Sequence, residues 1–302
     1  MYKKDVSRAA WAVLIMLVLA NLLAFVIVLG LSVRVGLGGE MNLSESLYNF
    51  VAAYLPTLLA EGVLIVLLHF WCGFRISGES GTRTKEPVRL SLQTILGGWG
   101  AAAAASFLVS ILLQVMSAMG LEMSVPDISV PMPQTDPLGF ALTLGYVGIL
   151  GPVLEELIFR GYILNGLKKY GEWAAILTSA IFFTMFHGNL TQLLAPWIIG
   201  MLFGFLAVRT GSLLPSILCH IFHNTLLIFM EFLPEFPLQI VFSVYALVGI
   251  AGLIWYICRY HAEWKALKQA QKDEYITELL LAPGFIAYFI LYVILCALYF
   301  IV

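Results

Sequence analysis

Nine stretches of this chain are long and apolar enough to be helices in lipid, at about 9–32, 47–71, 91–118, 138–167, 172–188, 191–208, 212–232, 238–258 and 281–302. A helix needs about 20 apolar residues to cross roughly 30 Å of hydrocarbon. In that medium each backbone N–H and C=O must be satisfied internally, which leaves helices and closed barrels. Unbroken runs of this length select helices. Composition agrees: 61% of the 302 residues are hydrophobic and 11% are charged, against about 45–50% and about 25% in soluble domains. A water-soluble enzyme and a disordered chain are excluded, and a net charge of -2 without a basic stripe excludes a nucleic-acid partner. The expected fold is all-α, a polytopic transmembrane helical bundle of about eight to nine spans in the lipid bilayer.

The basic residues give a direction. With the N-terminus in the cytoplasm and spans alternating, fourteen of the sixteen Lys and Arg fall inside: Lys3, Lys4, Arg8; Arg75, Arg83, Lys85, Arg89; Lys168, Lys169; Arg209; Arg259, Lys265, Lys268 and Lys272. Arg34 falls outside and Arg160 lies within a span. An integral protein, of the plasma membrane and with its N-terminus cytoplasmic, is expected. The first apolar run is too long for a signal peptide and reads as an uncleaved anchor. The fourth stretch contains Gly151-Pro152 and reads as one kinked span. Residues 120–137, with Pro126, Pro131, Pro133 and Pro137, read as an external loop, and 259–280 as a helix on the inner membrane surface. Gly200 and Gly204 would let another helix approach closely. The four cysteines have no paired spacing and read as small apolar residues. Three regions follow: N-terminal transmembrane helices over 1–136, a core over 137–232, and C-terminal helices with the surface helix over 233–302.

Ionisable groups inside a membrane cost about 2.5–3.5 kcal/mol each on insertion scales, so they need partners, water or a function. Here they gather in three stretches. In the fourth, Glu156 and Arg160 are four apart and share a helix face, whereas Glu155 is turned about 100° away. The spacing predicts a Glu156–Arg160 ion pair, with Glu155 facing something else. Pro152 removes an N–H one turn earlier and can open the helix toward water. The fifth stretch ends at His187, and the seventh carries His220 and Asn224 on one face, with His223 displaced and read as a packed histidine. At about 1.5 Å per residue, Glu155 lies roughly 20 Å from the inner end of its span, His187 about 21 Å and His220 about 14 Å. Three helices thus bring a carboxylate and two imidazoles to one level, within roughly a helical turn. Glu61, alone in the second stretch, must be buried against a donor such as Arg160 or lose its charge, and reads as structural support.

A carboxylate and an imidazole can together deprotonate a water, while a second histidine and a side-chain amide stabilise an oxyanion. That set suits peptide-bond hydrolysis in the bundle interior. The same Glu155, His187 and His220 could instead ligate Zn(II), whose bound water would attack. HExxH and Gly-x-Ser-x-Gly are absent. A transporter would be expected to show duplicated broken-helix halves, which this chain lacks.

Glu155-Glu156-x-x-x-Arg160, Phe183-x-x-x-His187 and His220-x-x-x-Asn224, in this order on separate stretches, resemble the three motifs of the CAAX protease and bacteriocin-processing (CPBP, or Abi) family. That family includes the eukaryotic Ras-converting CAAX endoprotease. The likeness covers about residues 137–232. It implies an intramembrane endopeptidase acting on a membrane-associated or secreted peptide or protein, in which Glu155 and His187 activate water, His220 and Asn224 hold the oxyanion, and Glu156 and Arg160 order the site. Both metal-dependent and metal-free mechanisms have been described for the family, so the cofactor is either none or Zn(II). The alternative the likeness allows is a non-proteolytic scaffold or bacteriocin-immunity factor of the same fold.

Overall fold

The computed structural model describes residues 1–38, 44–76, 84–121, 123, 134–232, 235–271 and 274–299. The proline-rich loop with Pro126, Pro131 and Pro133 lies outside them. Every described element is a helix: α1 (Tyr2–Gly36), α2 (Ser46–Trp71), α3 (Pro87–Ala118), α4 (Pro137–Tyr170), α5 (Glu172–Phe186), α6 (Leu194–Thr210), α7 (Leu214–Met230), α8 (Glu235–Gln269), α9 (Glu274–Leu280) and α10 (Pro283–Leu298). The all-α polytopic bundle is thus the observed fold, and each of the nine apolar stretches holds a helix among the described residues.

The helices differ in length. Among the described residues five helices are long and apolar enough to cross a membrane, and α9 with α10 make a sixth if the pair, bent by 61°, is one span. α5, α6 and α7 hold 15, 17 and 17 residues, or about 22–26 Å at 1.5 Å per residue, short of the hydrocarbon thickness. Gly188 and Gly211, at φ 66° and 63°, turn the chain just beyond α5 and α6, in a conformation that side chains with a Cβ resist. Residues 259–280 are divided rather than forming one helix: Arg259–Gln269 extend α8, and Glu274–Leu280 are separate. Leaving lipid does not end a helix whose backbone hydrogen bonds are all local.

Apolar side chains lie both inside and outside the bundle. On α1, Val6, Ala9, Val13 and Met16 are buried, while Trp11, Ile15, Val18, Leu22 and Phe25 are exposed. A helix that is apolar all round suits a protein with lipid for solvent. One buried cluster joins α1, α2, α4, α5 and α10, and a second joins α3, α6 and α8. Glycines set the close approaches. A Cβ on Gly200 or Gly204 of α6 would meet Ala180 or Ile176 of α5, each at 3.1 Å, so the small-residue face seen in the sequence is the one on which these two helices pack. On α3 and α8 the backbones meet at Gly100 and Gly249, where any side chain would collide with the opposite main chain.

Candidate active site

The central helix α4 departs from regular α geometry on both sides of Gly151–Glu156. Leu144–Leu150 and Leu157–Leu164 are π-helical, with one residue more per hydrogen-bonded ring. Gly151 N–H accordingly donates to Tyr146 O, five residues back. The next residue, Pro152, has no N–H, so the matching acceptor, Val147 O, loses its helical donor. Asn224 of α7 supplies one: its Nδ2 donates to Val147 O at 3.0 Å, and Thr225 Oγ1 reaches Gly148 O at 3.5 Å. The proline thus fastens α7 to α4 at the level of the glutamates.

Glu156 and Arg160 pair as their spacing predicts, Nη1 to Oε1 at 2.8 Å, with both side chains fully buried. Arg160 Nη2 also donates to Gly200 O at 3.2 Å, and the guanidinium lies over Phe183 and Phe203 at 4.5 and 5.7 Å. His220 stands between the two glutamates. Its Nδ1 is 3.1 Å from Glu156 Oε1 and its Nε2 is 3.6 Å from Glu155 Oε2. His187 Nδ1 is 2.8 Å from Phe183 O. A carbonyl only accepts, so Nδ1 carries the proton and Nε2 of the neutral ring keeps its lone pair. The following turn holds this histidine in place: Asn189 Nδ2 donates to His187 O at 3.0 Å and to Gln192 Oε1 at 2.7 Å.

Glu155, His187, His220 and Asn224 all line one cavity of about 560 Å³, with Phe183 among its apolar walls. The structure therefore brings the four sequence-predicted residues together, with Glu156 and Arg160 packed behind them. Three neighbours were not foreseen in these places. His223 also lines the cavity; it follows His220 by three residues, and that spacing, which keeps side chains about 60° apart on a helix, was the available signal. Tyr146 shares a hydrogen bond with Glu61 and lies within electrostatic reach of Glu155. Glu61, 1% exposed, faces Tyr146 rather than Arg160, whose donors serve Glu156 and Gly200 O. Nothing in a single sequence pairs a glutamate on α2 with a tyrosine in a π-helical turn of α4.

The residue types suit zinc, but their placement does not make a zinc site. Among the described residues no three His, Cys, Asp or Glu side chains converge as a ligand set. His220 directs Nδ1 at Glu156 and Nε2 at Glu155, whereas a tetrahedral site needs three donors aimed at one point.

Residues 137–226 match the family described as Rce1-like, type II CAAX prenyl endopeptidase, which agrees with the resemblance carried by the three motifs. The chain is 37% identical over 87 residues to a Bacillus subtilis (strain 168) protein named "Putative membrane peptidase YdiL", covering 28% of this chain and 36% of the relative. It is 28% identical over 117 residues to an Escherichia coli protein named "Uncharacterized 24.3 kDa protein", covering 37% and 48%. The chain thus spans between about a third and half of the length of these curated relatives. No solved structure matches. With its long apolar helices and a segment like that of membrane peptidases, the protein is an integral membrane protein.

Proposed function

We propose that the protein is an intramembrane endopeptidase that hydrolyses a peptide bond of a membrane-associated or secreted peptide or protein with water activated by Glu155 and His187. The observation that carries this reading is the shared cavity, into which α4, α5 and α7 bring a carboxylate, an imidazole with a free Nε2 lone pair, a second imidazole and an amide. His187 Nε2 or Glu155 takes a proton from water as its oxygen bonds to the scissile carbonyl carbon. The C–N bond then breaks, and the same proton passes to the leaving amine.

His220 and Asn224 act on the oxyanion. Asn224 gives one amide hydrogen to Val147 O and keeps the second for the substrate. His220 turns Nδ1 to Glu156 and Nε2 toward Glu155, and an N–H on Nε2 is the donor it offers. Glu156 and Arg160 hold His220 in place. Each step uses residues of this chain, and none is routed through a metal.

The test is a comparison of peptides released by cells carrying wild type and Glu155→Ala, followed by cleavage of the candidates by purified protein. Turnover undiminished in both Glu155→Ala and His187→Ala would overturn the assignment.

A further inference from the structure

Away from the histidine cavity, the first turns of α3 border two adjoining cavities of unlike chemistry. One, of about 380 Å³, gathers Lys85, Arg89, Arg209 and Arg259 with two carboxylates among the described residues, Glu86 and Glu263. The other, of about 550 Å³, is walled by apolar side chains of α3 and α8, among them Val88, Leu92 and Trp255. Both include Lys85, Glu86 and Arg89, so the charged cup forms the head of the apolar groove.

The cup has positive charge to spare. Arg89 already meets Glu86 and Arg209 meets Glu263, each at 2.8 Å. Lys85 and Arg259 form no ion pair among the described residues. Arg259 lies 5.1 Å over the ring of Tyr260, whose hydroxyl donates to Gln93 of the apolar cavity. The walls are fixed: Thr84 N–H donates to Arg209 O at 2.8 Å and joins the head of α3 to the end of α6. In contrast, Val88 and Leu92 are 72% and 59% exposed. Such side chains beside a cationic cup would be unfavourable in water, and they match an amphiphile with an anionic head.

We propose that these cavities bind one anionic phospholipid of the adjoining leaflet, its phosphate between Lys85 and Arg259 and an acyl chain along Val88, Leu92 and Trp255. The charge bias of the sequence assigns all four cations to the cytoplasmic side, where membranes carry anionic lipid. Inorganic phosphate would satisfy the cup but not the groove. A zwitterionic lipid would bring its ammonium to a cup already in positive excess. The site is independent of the histidine cavity, and its test does not read hydrolysis.

The full chain, delipidated in a neutral detergent, is titrated with phosphatidylglycerol, phosphatidylcholine or inorganic phosphate and followed by native mass spectrometry and thermal unfolding. One saturable phosphatidylglycerol adduct with a raised Tm is expected, with phosphatidylcholine bound at least about tenfold more weakly. Lys85→Gln with Arg259→Gln should weaken phosphatidylglycerol binding about thirtyfold, whereas Lys268→Gln, outside the cup, should not. Equal binding of the two lipids, displacement of the lipid by phosphate, or full binding by the double variant would overturn the proposal. If that variant does not fold, the wild-type preference between the two lipids decides alone.

Discussion

Replacing Arg160 by alanine should destabilise the protein more than any loss at Glu155. Arg160 and Glu156 are both fully buried and 2.8 Å apart. Removing the guanidinium strands the Glu156 carboxylate, takes the donor from Gly200 O, and leaves Phe183 and Phe203 without the group they sandwich. Breaking a buried pair from one side costs about 3–5 kcal/mol. At about 2–4 °C per kcal/mol for a large domain, Tm should fall by roughly 6–20 °C. Glu155, by comparison, lies against the cavity, with His220 Nε2 at 3.6 Å as its near partner. Glu155→Ala should therefore leave Tm within a few degrees, about the effect of losing one weak contact. Removing both members of a buried pair is milder than removing one, so Arg160→Met with Glu156→Gln should recover part of the loss. Thermal unfolding of wild type, Arg160→Met, Glu156→Gln and the double variant in one detergent forms the cycle. Equal Tm values for Arg160→Ala and Glu155→Ala, or a double variant as unstable as the sum of its single changes, would refute the pairing argument.

Asn224→Ala should lower stability by about 1–3 kcal/mol as well as activity, because Val147 O is left without a donor; Asn224→Asp should not restore it, since a carboxylate only accepts, and chemical denaturation measures both. His187→Ala should reduce cleavage by about 10²–10⁴-fold, as expected for loss of a general base, while leaving Tm nearly unchanged; full cleavage would remove His187 from the reaction. Elemental analysis of active wild type should find no stoichiometric zinc, and chelators should leave turnover intact; one zinc per chain lost in the His187→Ala/His220→Ala variant would reverse this. Gly100→Val should disrupt packing of α3 on α8, where the main chains touch, with a loss above about 3 kcal/mol from overpacking.

The sequence made the helices and the cluster legible because both rest on short-range rules. Apolar run length gives the helices, and four-residue spacing gives Glu156–Arg160 and the His220–Asn224 face. The close approach at Gly200 and Gly204 was legible for the same reason, since small residues one turn apart make a flat face. Other features depend on what the rest of the fold supplies. π-Helical turns in α4 leave no periodic mark, so neither the meeting of Glu61 with Tyr146 nor the Val147 bond to Asn224 could be anticipated. Hydropathy does not fix where a helix ends, which is why α5–α7 are shorter than the apolar stretches that hold them. The charged run after Cys258 was read as a surface helix because charge reports on solvent, whereas α8 continues to Gln269 through hydrogen bonds indifferent to it.

The Val147 carbonyl has a consequence for biogenesis. Its donor in the folded chain is on a residue 77 positions later, so α4 is synthesised before the partner this carbonyl has in the finished fold. Lipid solvates such a group poorly. The arrival of α7 thus closes the cavity and completes the hydrogen bonding of its central helix in one step.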